Sequence, residues 1–360
     1  MGRHGPSLAQ TYSPWGGQFT AIWYVYVMED PSEPMTDSAS ISEISPAAAD
    51  TVHAQPKAYP PLDETHLRTP RRRRVLPVVL FLVTCFSTFW AGALEWNPVR
   101  FMFDTPGGIE LRRILLNHWQ NGLAYMGAII AILLFHEMGH FLATVRYRIP
   151  ASFPFFIPFP LSPIGTMGAV IGMAGHRADR KQTFDIGIAG PLAGLVVAIP
   201  VLWMGIRQLD LTTPAAGAFQ IDCPLIVQMM LPFARPDLSS VDTLWISQTN
   251  PLFMAAWVGL LITGLNMMPI SQLDGGHVIY ALLLKKGHWF ARLFLIFAIS
   301  YVVMAKAYMW SLMIIIVIFI GTDHPPTSND KVELGLFRTI LGYASLAIPF
   351  ICFPARGIIQ

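Results

Sequence analysis

Uncharged apolar stretches of about 20 residues constrain the fold of this chain more than any other feature. Residues 75–94 and 186–206 are two such stretches, and each can cross a bilayer as a helix that rises about 1.5 Å per residue. Charged residues form only 13% of the chain, against about 25% in soluble domains. The sequence therefore predicts a polytopic α-helical membrane protein. The other apolar runs lie at 119–145, 251–270, 289–305, 307–321 and 336–353. The runs at 289–305 and 307–321 form either two spans or a hairpin, so about six transmembrane helices are expected in total.

Composition changes along the chain predict four parts. Residues 1–70 are polar and rich in Ser, Pro and Ala, which is typical of a disordered tail, and Met35 suggests that 1–34 is a mis-assigned start. Residues 71–118 are expected to form the first transmembrane helix and a connecting loop. The membrane-embedded core is expected at 119–285, and accessory C-terminal transmembrane segments at 286–360.

Basic residues beside the apolar runs predict the orientation. Residues 71–74 are all Arg and precede the 75–94 run, and Arg146 and Arg148 follow the 119–145 run. The positive-inside rule places both clusters, and the N-terminal tail, in the cytoplasm. Arg112 and Arg113 fall on the opposite side and count against this orientation. We expect a bacterial-type cytoplasmic membrane.

The apolar segment 151–174 is unsuited to a spanning helix. It carries four prolines and several glycines, which interrupt helical hydrogen bonding. Non-helical backbone at membrane depth must be shielded by protein. The sequence therefore predicts a short re-entrant, β-like element that enters from the cytoplasmic side.

The apolar run at 119–145 contains an HExxH motif, His136-Glu137-Met138-Gly139-His140. Residues four apart share one face of a helix, so both imidazoles can bind a single metal ion. Glu137 lies one position further round, where a general base for a metal-activated water would stand. Three ionisable groups within a membrane span are costly and need partners, which favours a functional site.

A catalytic zinc ion takes three protein ligands, so one more ligand is required. Asp274 is the best candidate, because it follows the 251–270 run and is flanked by Gly275 and Gly276, which let the backbone turn close to the site. His140 lies roughly 9 Å along a helix axis from the cytoplasmic Arg146. The predicted orientation thus places both motifs near the same, cytoplasmic, membrane face.

Four motifs together resemble the site-2 protease family of intramembrane zinc metalloproteases, in the branch that lacks a PDZ domain. The resemblance covers roughly residues 119–285 and implies Zn²⁺ bound by His136, His140 and Asp274, with Glu137 as general base. It also implies that Asn266 assists at the active site, for instance by donating a hydrogen bond to the oxyanion. The motifs, in chain order, are HEMGH at 136–140, GTMG at 165–168, AGPLAG at 189–194 and NMMPISQLDGG at 266–276.

The expected substrate is a membrane protein whose transmembrane helix can unwind within the bilayer. In the re-entrant element, Gly165, Gly168, Ala169 and Val170 are expected to form a strand edge that pairs with the unwound substrate. A packing plug that only fills the cavity is the alternative reading of this segment. A net charge of +2 gives no reason to expect nucleic acid, and the sequence does not indicate the oligomeric state.

Two other functions remain open from the sequence. An ion or metal transporter would also carry intramembrane His, Glu and Asp, although no inverted repeat is apparent. A proteolytically silent zinc-binding protein is the third alternative, and the intact Glu137 argues against it. The remaining residues are predicted to be structural: Gly190 and Gly194, within the third motif, as a helix-packing face, and His118, His176, His277 and His288 as loop or interface residues.

Overall fold

A computed structural model describes residues 75–97, 109–217, 219–238, 241–270, 272–322 and 324–359. The expected N-terminal tail at 1–70 and the basic residues 71–74 lie outside this part of the chain. Within it the fold is mostly helical. The helices are α1 (Val75–Ala93), α2 (Ile109–Arg146), α3 (Arg180–Arg207), α4 (Leu225–Ala234), α5 (Pro251–Asn266), α6 (Asp274–Leu283), α7 (Gly287–Met304), α8 (Ser311–Ile320), α9 (Leu336–Ser345) and α10 (Ile348–Cys352).

Four helical segments in the described residues are long and apolar enough to cross a membrane. Three of them contain predicted spans: Val75–Ala93, Leu111–Arg146 and Arg180–Arg207. The fourth, Asp274–Met304, joins α6 and α7 through a short 3₁₀ turn. The described part of the chain is therefore mostly helical and contains four candidate membrane spans.

The predicted span at 251–270 has a different structure. It is the 16-residue helix α5, which ends at Asn266 and is shorter than the four candidate spans. Most of its side chains are buried, including Trp257, whose indole N–H donates to the Asp222 carbonyl at 2.7 Å. A helix enclosed by other helices need not match the bilayer thickness, because protein and not lipid surrounds it.

Local sequence explains where the central helices begin. Asp179 caps α3 by accepting from the Gln182 backbone N–H, while the Gln182 side chain accepts from the Asp179 N–H, a reciprocal capping box. Asn250 caps α5 in a similar way and Pro251 occupies its first turn. These caps fix the starts of α3 and α5, two of the helices that pack against α2.

The segment 151–174 is a two-stranded antiparallel hairpin of β1 (Phe155–Phe159) and β2 (Gly165–Val170). Its non-helical backbone agrees with the proline and glycine pattern. Ser87 of α1 donates to the Gly165 carbonyl at 2.5 Å, and Tyr125 of α2 donates to the Ile164 carbonyl at 2.8 Å. The hairpin is thus fixed to α1 and α2 by polar side chains on otherwise apolar helices.

A small antiparallel sheet lies beyond the far end of α3. Its strand order is β4 (Thr243–Trp245), β3 (Gln220–Asp222) and β5 (Ile358–Ile359). Since β5 is the C-terminal strand, α9 and α10 lead the chain from the start of α3 towards this sheet. The C-terminal segment is therefore attached to both ends of the helical core.

Candidate metal centre

The two histidines of the HExxH motif lie on one face of α2. His136 and His140 are 2% and 6% exposed, and their ring centroids are 5.0 Å apart. Their Nε2 atoms are 3.3 Å apart. The helix therefore directs both nitrogens to one point inside the protein, as four-residue spacing predicts.

Asp274, the first residue of α6, completes a group of three. Its Oδ2 atom is 3.2 Å from His136 Nε2 and 3.3 Å from His140 Nε2. Among the described residues, His136, His140 and Asp274 form a group whose ligand atoms are close enough together to hold one metal ion. The structure thus brings together the three residues that the sequence predicted as ligands, although His136 and Asp274 are 138 residues apart in the chain.

The three ligand atoms have the spacing of a zinc site. Tetrahedral zinc with ligand distances of about 2.0–2.1 Å requires its ligand atoms to be about 3.3–3.4 Å apart. The three observed separations, 3.2, 3.3 and 3.3 Å, match this requirement within 0.2 Å. Two imidazoles and one carboxylate are also a common donor set for catalytic zinc, which leaves a fourth position open.

A hydrogen bond orients one of the imidazoles. His140 Nδ1 donates to the Ile186 carbonyl on α3 at 2.8 Å. Because a carbonyl oxygen can only accept, Nδ1 carries a proton, and in the neutral imidazole Nε2 keeps the lone pair that faces the centre. Such bonds from the second ring nitrogen are the usual way in which proteins fix a metal-binding histidine.

The predicted catalytic residues lie at this centre. Glu137 is 5% exposed, and its carboxyl interacts electrostatically with His140 and Asp274. The Asn266 amide nitrogen, at the end of α5, is 3.4 Å from His136 Nε2. Glu137 and Asn266 therefore lie on two different helices, α2 and α5, beside the histidines.

The pattern of this site agrees with known proteins. Residues 124–305 match the model of Peptidase family M50. The chain belongs to this family. The resemblance to site-2 proteases inferred from the four motifs is thereby confirmed, and nothing in the family match contradicts the branch without a PDZ domain.

Plant proteins described as "Probable zinc metalloprotease EGY1, chloroplastic" are similar to this M50 member. The one from Oryza sativa subsp. japonica is 32% identical over 225 residues, covering 57% of this chain and 37% of that protein. The one from Arabidopsis thaliana is 28% identical over 308 residues, covering 78% of this chain and 53% of that protein. This chain thus spans about half or less of the length of these relatives. Their chloroplastic description does not fit the expected bacterial-type membrane, and it gives no support to the expected orientation.

The glycines of the third motif have a role that the sequence analysis missed. A methyl group at Gly190 would lie 2.0 Å from His140 Nε2, and one at Gly194 would lie 3.1 Å from His136 Nδ1. These glycines do let helices pack closely, as predicted, but the atoms that they admit are the two imidazoles. The four-residue interval between 190 and 194 places both glycines on one face of α3, but only the tertiary structure shows that this face meets the histidines of α2.

A second histidine pair lies beside the metal centre of this M50 member. His277 and His324 are joined by a ring-nitrogen hydrogen bond of 2.6 Å, and Tyr280 stacks on His324 and donates to Asp330 at 2.9 Å. Burial raises the pKa of Asp330, but hydrogen bonds from Thr327 and Tyr280 outweigh this effect and hold the pKa below its usual range. His277 was predicted to be a loop or interface residue, and it is a helix residue that joins α6 to the C-terminal segment.

The expected substrate-binding residues all lie on β2. Gly165 is packed so closely on α1 that a methyl group there would lie 2.7 Å from the Ser87 carbonyl oxygen. The Gly168 N–H donates to the Thr166 hydroxyl at 3.0 Å and is therefore already engaged. Ala169 pairs with Phe156 of β1, and Val170 is 42% exposed. The C-terminal half of β2 is thus the more accessible half.

Proposed function

We propose that this chain is an intramembrane zinc metalloprotease that hydrolyses peptide bonds within or near transmembrane segments of other membrane proteins. The observation that carries the proposal is the convergence of His136, His140 and Asp274 on one point with zinc spacing. A buried carboxylate, Glu137, stands next to that point. The M50 match and the names of the plant relatives support the same activity.

The proposed roles follow from chemistry and position. His136, His140 and Asp274 bind Zn²⁺, which when bound supplies a Lewis acid that polarises a peptide carbonyl and lowers the pKa of water. Glu137 accepts the proton of the attacking water on its carboxylate and later delivers it to the leaving amine. Asn266 Nδ2 donates to the oxygen that gains negative charge as the carbonyl is attacked.

The transmembrane arrangement is also part of the proposal. We propose a core at 119–285, accessory segments at 286–360 and about six membrane-crossing segments, with the β1–β2 hairpin inserted from one face. The metal centre would lie nearer the face that carries Arg146 and Arg148, because His140 binds Ile186 near the start of α3 and Arg177 and Arg180 flank that start.

Substrate recognition is proposed to use the free edge of β2. A transmembrane helix hides its peptide carbonyls in its own hydrogen bonds, so it must unwind before cleavage. The described hairpin has two strands, which leaves one edge of β2 unpaired by β1. An unwound substrate can recover its lost hydrogen bonds by adding a strand at that edge, most readily at Ala169 and Val170.

Variants that separate the base from the ligands test this function. We expect Glu137→Gln to retain one zinc per chain and to lose cleavage of a single-pass membrane substrate by at least about 100-fold, because the base is removed while every ligand remains. Asp274→Ala should lose both zinc and cleavage. Metal analysis of the purified protein and a cleavage assay in detergent micelles measure the two effects. The assignment of Asp274 would be wrong if Asp274→Ala bound zinc as tightly as the wild type.

A further inference from the structure

Arg338 joins the C-terminal segment to the helical core through a two-pronged contact with Asp185. It lies on α9, outside the segment that matches the M50 model. Its Nε donates to Asp185 Oδ1 at 2.7 Å and its Nη2 donates to Asp185 Oδ2 at 2.9 Å. This two-pronged geometry is the strongest that a guanidinium and a carboxylate adopt. Tyr147, one residue past the end of α2, also donates its hydroxyl to Asp185.

The contact between Arg338 and Asp185 lies one residue from Ile186, whose carbonyl orients His140. Asp185 directly precedes Ile186, whose carbonyl accepts the proton of His140 Nδ1. Tyr147 follows His140 along the chain by about two helical turns. Asp185 therefore fixes α3 against the end of α2 at the level where the Ile186 carbonyl meets the imidazole.

Packing of α9 reinforces this path. Gly342 approaches α3 and α6 so closely that a methyl group there would lie 2.8 Å from Phe184 and 3.0 Å from Leu282. These two helices provide the Ile186 carbonyl and Asp274, respectively. A single C-terminal helix thus spans both elements that surround the histidines of α2.

We propose that Arg338 is a positioning residue for the metal centre. By holding Asp185, it keeps the Ile186 carbonyl where it orients His140 and presents Nε2 to the metal. The inference rests on the zinc site of the proposed function. It assigns to the C-terminal segment a role in metal binding that the three ligands alone do not reveal.

Zinc affinity of the full-length protein in detergent tests the proposal without any substrate. Zn²⁺ would be titrated against a chelating indicator for the wild type, Arg338→Ala, Arg338→Lys and Lys331→Ala, and the unfolding midpoint of each zinc-free protein would be measured. We expect Arg338→Ala to bind zinc about tenfold more weakly, at the lower end of the effect of removing a residue that orients a ligand. Arg338→Lys keeps the charge but not the two-pronged contact, so its affinity should fall by about threefold. Lys331→Ala, which removes an exposed cation of the same segment, is the matched control and should bind as the wild type does.

A double variant sharpens the test. Asp185→Asn should weaken zinc binding as Arg338→Ala does, and the double variant should bind no more weakly than the worse single variant, because both changes remove one contact. Equal zinc affinity of Arg338→Ala and the wild type would overturn the proposal. So would parallel losses of zinc affinity and zinc-free unfolding midpoint in both Arg338 variants, since that result marks a purely structural clamp. A wild type that binds no zinc would instead reject the proposed function itself, and with it this inference.

Discussion

At the scale of single residues, the metal centre depends on glycines, which have no side chain, as much as on the residues predicted to bind the metal. The His140 imidazole occupies the space in which a side chain at position 190 would stand. Gly139, on the opposite helix, would place a methyl group 2.4 Å from the Ala189 carbonyl oxygen. The α2–α3 contact therefore accepts the imidazoles only because glycine occupies these positions.

This contact predicts a strong effect of one added methyl group. We expect Gly190→Ala to weaken zinc binding by at least about tenfold, because the methyl must displace the His140 ring. Gly127→Ala is the matched control: it adds a methyl to α2 where no atom lies within 4 Å. It should retain zinc and stabilise the helix by about 1 kcal/mol. Chelator competition and thermal unfolding measure both variants, and wild-type zinc affinity in Gly190→Ala would show that the ring is placed differently.

At the scale of elements, the hairpin beside α1 has two strands, so one edge of β2 is not paired with β1. Ser87 and Tyr125 fix the hairpin to α1 and α2 by hydrogen bonds to the Gly165 and Ile164 carbonyls. The Thr166 hydroxyl donates to the Ile157 carbonyl at 3.0 Å and accepts a hydrogen bond from the Gly168 N–H. The register between the two strands shifts at the same place, between Phe156 and Pro158. The proposed pairing with a substrate would therefore be confined to the last residues of β2.

Proline substitution tests pairing at this edge. Proline removes a backbone N–H with little change in bulk. Because successive residues of a strand direct their N–H groups to opposite edges, one of Ala169→Pro and Val170→Pro should cut turnover by at least about tenfold while zinc content stays at the wild-type level. The other variant loses a bond to β1 and should reduce thermal stability instead. Normal cleavage by both variants, or loss of zinc and stability together with activity in both, would rule out strand pairing.

At the scale of the whole molecule, the helix ends divide the protein into two sides. The metal centre, the start of α3 and the exposed Arg148 lie on one side. The loop that follows α3 and the small β4–β3–β5 sheet lie towards the other. If α2 and α3 both cross the bilayer, reagents added on one side should reach only one of these regions.

Cysteine accessibility checks this arrangement. In a variant without Cys85, Cys223 and Cys352, we expect Arg148→Cys and Ala215→Cys to react with a membrane-impermeant thiol reagent from opposite sides. Single cysteines at 136–140 should react poorly from either side, because His136, Glu137 and His140 are nearly inaccessible. Mass-tag shifts in sealed vesicles and in inverted vesicles provide the measurement. Labelling of 148 and 215 from the same side would contradict the proposed crossing of α3.

Local patterns in the sequence were sufficient to predict much of this protein. Uncharged apolar length predicted α1 and α3, prolines and glycines excluded a helix at 151–174, and four-residue spacing placed both histidines on one face of α2. These features follow from helical geometry and from the cost of polar groups in lipid, which act on neighbouring residues.

Tertiary packing decided the rest. The length of α5 was overestimated because apolar character does not distinguish a helix enclosed by protein from one that meets lipid. The Ile186 carbonyl beside His140, the glycines that admit the imidazoles and the pairing of Asp185 with Arg338 join residues far apart in the chain. Such contacts depend on how helices meet in three dimensions, and sequence periodicity carries information only about each helix by itself.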